Sequence, residues 1–152
     1  MLKINIVCVG NLKDKFFIDA CGEYKKRLSR FCELSIRELK EYTNFDNEEQ
    51  TKQAEGEEIL KHVSGFVVLA DVKGKSLSSE QLADFMQKQT MVSSEITFVI
   101  GGSYGVSEQV KNRADFKLSL SAMTFPHRLF RVMLLEQVYR AFTINNNIKY
   151  HK

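Results

Sequence analysis

Three stretches of this chain carry residue types that do chemistry. GGSYG, residues 101–105, has three glycines in five positions; LSAMTFPH, residues 120–127, contains the only proline; YHK, residues 150–152, ends the sequence with a phenol, an imidazole and an amine. Closely spaced glycines leave backbone amides uncovered, so a ligand can approach the main chain. The spacing is not GxGxxG, because Gly101 and Gly102 are adjacent, and no GK[ST] follows, which disfavours a phosphate cradle. A plain strand-to-helix turn accounts for the glycines equally well. The small and apolar loop 120–125 suits an adenine ring held by backbone hydrogen bonds among apolar side chains. Pro126 fits the first position of a helix, where its missing N–H costs nothing, with Thr124 as a candidate capping group. A terminal tripeptide is ordinarily frayed, so YHK by itself says little. His62, His127 and His151 lie far apart without ligand spacing, so no metal site is expected, and no Ser/His/Asp or Cys/His arrangement can be argued.

These loops need elements to hold them. Residues 3–10 form a β-branched run ending in glycine, as a buried strand that turns at once. Phe16 or Phe17, Ala20, Tyr24, Leu28 and Phe31 recur about every four residues with Lys25, Lys26, Arg27 and Arg30 between them, which predicts an amphipathic helix with a basic outer face. Residues 33–39 alternate as an edge strand, and the acidic segment 41–62 should be a loop and a solvated helix. Residues 64–71 are an apolar strand followed by the turn VKGKS, and Ser78 with Gln81 forms a capping box for the next helix. Residues 95–100 are a buried strand, a short helix starts near Ser107, residues 115–122 are the fifth strand, and a helix runs from about 126 to 142. Strands alternating with helices imply an α/β domain over 1–152, with a mostly parallel sheet covered on both faces. In such sheets ligands bind beyond the carboxyl ends of the strands, where LADVKGK, GGSYG and SAMTFPH all lie.

The composition is that of a globular protein, with 43% hydrophobic and 27% charged residues among 152. The first apolar run is too short for a signal peptide or a membrane span, so a cytoplasmic protein without a membrane partner is expected. Cys8, Cys21 and Cys32 are odd in number and lack CxxC spacing, so they read as small buried thiols. The net charge is +3, with Lys and Arg concentrated in residues 1–40 and 126–152 and an acidic stretch at 41–58. That distribution would let a polyanion approach one face, although ordinary solvated helix faces would look the same. The apolar final helix, punctuated by Arg128, Arg131 and Arg140, could be a core helix or could be buried against a second copy of the chain.

IGGSYG (100–105), LSLSAMTFPH (118–127), RVMLLEQVYRA (131–141) and the terminal YHK together closely resemble the ribosomal large subunit methyltransferase H family of the SPOUT class, and the resemblance covers essentially the whole chain. It implies a C-terminal trefoil knot, a homodimer, and S-adenosyl-L-methionine as methyl donor. It further implies N3 of a pseudouridine in helix 69 of 23S rRNA, in the assembled 70S ribosome, as the target, with no DNA partner. Carried over by motif, the cofactor residues are Leu69, Gly101, Gly102 and Gly105, with Leu120, Ser121, Ala122, Met123, Thr124 and Phe125. Pro126 then ends the cofactor loop and starts the dimer helix. Many members place proline before the terminal Tyr-His, where this chain has Lys149.

On that reading Tyr150 and His151 of the partner's tail line the acceptor pocket, with His151 the candidate for proton transfer because its unperturbed pKa lies near neutrality. Arg140 and Lys152, with Arg128 and Arg131, are candidate contacts to RNA phosphates. Three other readings are a SPOUT enzyme acting on tRNA, a noncatalytic ribosome-binding protein that keeps the fold, and a flavodoxin-like nucleotide binder. The last would need a phosphate loop that the sequence lacks.

Overall fold

The structure, a computed structural model, describes residues 1–152. Five strands, β1 (Leu2–Val9), β2 (Cys32–Leu39), β3 (Phe66–Ser76), β4 (Glu95–Ile100) and β5 (Phe116–Ser119), alternate with five helices. These are α1 (Lys15–Leu28), α2 (Glu48–His62), α3 (Ser79–Thr90), α4 (Glu108–Arg113) and α5 (His127–Asn145). The sheet order is β2-β1-β4-β3-β5 and every neighbouring pair is parallel. The expected α/β sheet with β2 at an edge is therefore present.

Side chains alternate between the two faces of a strand, and both faces here are apolar. Ile4, Ile6 and Cys8 of β1 join Ile96, Phe98 and Ile100 of β4 beneath α1, α3 and α5. Val7, Val9, Val67, Leu69 and Val99 point the other way, toward Ile59 of α2 and Val110 of α4. Each such fully buried side chain contributes roughly 1.5–3 kcal/mol. That burial holds the carboxyl ends of β3, β4 and β5 in register while the loops beyond them stay free to bind.

Several boundaries differ from the sequence reading. VKGKS is not a turn: β3 continues to Ser76, with a register shift against β5 between Ala70 and Lys75. That bulge lets the strand bend at Asp71–Lys73 and then pair again. Strand β5 stops at Ser119, because Ser119 and Ser121 tie the following loop to itself: Ser119 Oγ donates to the Ser121 carbonyl and Ser121 Oγ accepts from Met123 N–H. Pro126 is the residue before the helix rather than its first member, with extended ψ of 142°, and no side chain caps it. The Pro126 carbonyl accepts from Phe130 N–H, so proline supplies the first acceptor of α5 and Thr124 plays no capping part. Helix α2 is not simply solvated; Thr51, Glu55, Gly56 and Ile59 are buried. Gly56 allows this, since a Cβ there would lie 2.5 Å from Ser107 Oγ. The capping box at Ser78 and Gln81 is present as expected. No helix is long and apolar enough to cross a membrane.

Candidate active site

The loops leaving β3, β4 and β5 enclose one cavity of about 470 Å³, within the range of small-molecule sites. Leu69, the three loop glycines and Leu120, Ser121, Met123, Thr124 and Phe125 all line it; Ala122 does not. Parallel pairing places three strand ends side by side, which brings segments some 30 and 50 residues apart around one space. Gly105 has φ of +86° and its N–H returns to the Gly102 carbonyl, so the glycine loop closes as a tight turn. Sequence reasoning named LADVKGK and SAMTFPH as walls without singling out Asp71, Lys73 or His127, and it missed Lys52 and Lys111. The lysines could have been suspected only by knowing that α2 and α4 reach the cavity.

The mouth is apolar in an unusual place. Val72, Tyr104 and Met123 are each more than half exposed and all stand at the cavity. A lining of glycine turn and apolar side chains suits a heterocycle held by main-chain hydrogen bonds. The cavity residues thus fit S-adenosylmethionine: the glycine and 120–125 loops would hold its adenosine, and the lysines could meet its carboxylate.

Tyr150, His151 and Arg140 come together, but beside α5 and α3 rather than in the lining of this cavity. Arg140 forms a forked pair with Glu136 at 3.0 Å, and the Tyr150 hydroxyl donates to Glu136 Oε2 at 3.2 Å. Burial beside that carboxylate and Tyr24 pushes the Tyr150 phenol up to about 12. Arg140 Nη1 lies 3.0 Å from His151 Nδ1, and His151 Nε2 lies 2.6 Å from Glu80 Oε1. A guanidinium only donates, so Nδ1 must be the acceptor and Nε2 carries the proton toward Glu80. The hydrogen bond from His151 holds the Glu80 carboxyl below its ordinary value. The Tyr139 ring packs edge-on against Tyr150 at 4.9 Å. The tail is therefore seated, with Lys149 preceding Tyr150.

The candidate phosphate contacts divide. Arg128 is half exposed and lies 3.7 Å from Asp14, where it remains open to a phosphate. Arg131 does not: its side chain is 6% exposed and pairs with Glu38 at 2.5 Å. The helical phase explains this, since position 131 falls on the face of α5 that meets the carboxyl end of β2. No group of three metal-ligating side chains is present.

The family described as "Predicted SPOUT methyltransferase" matches residues 2–151. A protein of Fusobacterium nucleatum subsp. nucleatum named ribosomal RNA large subunit methyltransferase H is 47% identical over 99% of this chain and all of its own length. A protein of the same name from Clostridium botulinum (strain Kyoto / Type A2) is 50% identical over the same shares. In three dimensions, a probable methylase family protein from Haemophilus influenzae Rd KW20 superimposes with a TM-score of 0.55 at 16% identity, covering 98% of this chain and 70% of the other, which shows a shared fold. The cavity beyond the strand ends and the full-length matches converge: the chain belongs to the SPOUT methyltransferase family, among the ribosomal RNA large subunit methyltransferase H proteins.

Proposed function

We propose that this methyltransferase uses S-adenosyl-L-methionine to methylate large-subunit rRNA, at N3 of a pseudouridine in helix 69 of 23S rRNA on the assembled 70S ribosome. It works in the cytoplasm as a homodimer, each chain a single SPOUT domain over residues 1–152 whose C-terminal part forms a trefoil knot. The observation that carries this reading is the cavity itself, lined by the glycine loop and the 120–125 loop that the family motifs single out. The relatives' shared name supports rRNA as the substrate.

When bound, the donor supplies an electrophilic methyl group on a sulfonium. The acceptor N3–H must lose its proton as the N–C bond forms and the sulfur keeps the electron pair of the broken S–C bond. The protein's part is largely alignment, with loops that fix the donor and a basic surface that fixes the base in line. Because Arg140, Tyr150 and His151 stand apart from their own chain's cavity, the tail serves the cavity of the partner in this reading. In the present arrangement Nδ1 of His151 is occupied by Arg140. His151 can accept the N3 proton only after that bond opens, and an RNA phosphate taking over Arg140 would open it. Single-stranded or splayed RNA is the expected target, since the A-form major groove is too narrow to read.

The test is transfer of labelled methyl from S-adenosylmethionine to ribosomes from a strain lacking this protein, compared with separated subunits and bulk tRNA, followed by mapping of the base. Label on a helix 69 pseudouridine, strongest in whole ribosomes, is the expected result. Label only on tRNA overturns the target, and no label with a folded dimer overturns the enzyme reading in favour of a binding protein.

A further inference from the structure

Glu55 is the one carboxylate of α2 that the protein buries, at 3% exposure. Its Oε2 accepts from Tyr42 N–H at 3.1 Å, whereas its Oε1 is buried with no partner. An unpaired buried acceptor is costly to keep, so the position needs an explanation. Oε1 lies directly behind the glycine loop: a Cβ at position 102 would be 2.5 Å from it. A Cβ at its neighbour Gly56 would come equally close to Ser107 Oγ, just past the end of that loop. Helix α2 thus braces both ends of the segment that forms one wall of the cavity.

The groups around Glu55 leave it short of support. Glu41 and Tyr42 from the connector before α2 and Tyr104 from the glycine loop share a small pocket with it. Burial pushes its carboxyl up, the Tyr42 N–H opposes that, and the like charge of Glu41 adds to the rise. On the far side, Val9 of β1 contributes only a methyl near Gly102.

We propose that Glu55 is a positioning residue that sets the conformation of the Gly101–Gly105 loop, its free Oε1 receiving a backbone N–H of that loop when the cavity fills. The inference rests on the reading that the cavity takes S-adenosylmethionine. Ionised Glu55 can accept the loop N–H, while protonated Glu55 offers a hydrogen there instead. Donor affinity therefore falls on acidification as Glu55, whose carboxyl burial raises from its ordinary value, takes up its proton.

The experiment is calorimetric titration of S-adenosylmethionine into the full chain across the range from neutral to mildly acidic pH, with amide exchange of residues 101–106 measured at saturating donor and without it. Near neutral pH, Glu55→Ala should weaken binding about 10-fold, equal to ~1.4 kcal/mol, and at saturating donor it should speed exchange of the loop amide that Glu55 receives. Glu55→Gln, which keeps the shape but provides only one acceptor oxygen, should bind at the acid-form level of the wild type at every pH. Gly102→Ala, which places a methyl against Oε1, should weaken binding alone and lose most of that effect in the Glu55→Ala background, since the two changes meet at one contact. If Glu55→Ala fails to fold, Glu55→Gln and Gly102→Ala carry the test. Wild-type pH dependence in Glu55→Gln, or unchanged loop exchange in donor-saturated Glu55→Ala, overturns the proposal. A wild-type protein with no affinity for the donor overturns the cofactor reading and this proposal with it, whereas donor binding that is indifferent to Glu55 overturns the proposal alone.

Discussion

Removal of Glu38 should expose how α5 is anchored beside the 120–125 loop. Arg131 Nη1 bonds Glu38 Oε2 and Nη2 donates to the Gly10 carbonyl at 3.0 Å, while its Nε is buried without a partner. Glu38 also accepts from Leu12 N–H at 2.9 Å. Glu38→Ala would leave the guanidinium, 6% exposed, with one neutral acceptor. Breaking a buried pair from one side costs about 3–5 kcal/mol, and the partial solvent access of Glu38 places this case near the lower end, ~3 kcal/mol. For a chain of this size that is a fall in Tm of roughly 6–12 °C. Burial by itself would raise the Glu38 carboxyl, but the bonds from Arg131 and Leu12 outweigh it and the net shift is downward. A lowered folded pKa means that the contribution is present above the unfolded value and lost as pH falls through the folded one. The gap between wild type and Glu38→Ala should accordingly narrow in acid. Adding Arg131→Met should recover stability to within about 1 kcal/mol of wild type, because an apolar side chain leaves no charge stranded. Urea and thermal unfolding of the three proteins measure this. A Glu38→Ala protein within ~0.5 kcal/mol of wild type, or a double variant no better than the single one, would refute the reasoning.

Gly65→Ala should destabilise by about 3 kcal/mol in denaturant unfolding, because position 65 has φ of +69° and an added Cβ would lie 2.4 Å from the Glu95 carbonyl oxygen; a change below ~1 kcal/mol would count against it. Burial pushes the Cys8 and Cys32 thiols up to about 11 and raises Cys21 as well. A disulfide reagent near neutral pH should therefore find no fast thiol in the native protein and three after denaturation; a native thiol as fast as the denatured ones contradicts this. Deleting Tyr150–Lys152, or replacing Arg140 by Ala, should abolish methyl transfer while leaving donor affinity within about twofold, because neither lines the cavity; a truncated enzyme with full activity would remove the tail from the mechanism.

Strand and helix identities were largely legible because their signals are local. The apolar runs 64–71 and 95–100 and the Ser78–Gln81 box need no distant partner to be recognised. The errors fall where a distant contact decides. The β3 extension depends on renewed pairing with β5 at Lys75 and Ser76. The solvated reading of α2 failed because its polar sequence, with Glu55 and Gly56, gives no sign that it meets the glycine loop. Arg131 looked like Arg128 and Arg140, since residue type says nothing about which helix face finds a carboxylate.

Local pattern and motif spacing by themselves determined the α/β class, the strand ends from which a site would be built, and most of the residues now seen around the cavity. The tail was marked as chemistry by the family resemblance and not by local pattern. The tertiary structure alone decided that Lys52 and Lys111 reach the space that the three loops enclose, and that the tail gathers on Glu136 and Glu80 away from its own cavity. The physical reason is range. Hydrophobic periodicity and turn chemistry act within a few residues, whereas burial and charge pairing join positions such as Glu38 and Arg131, 93 residues apart, only when the chain has folded.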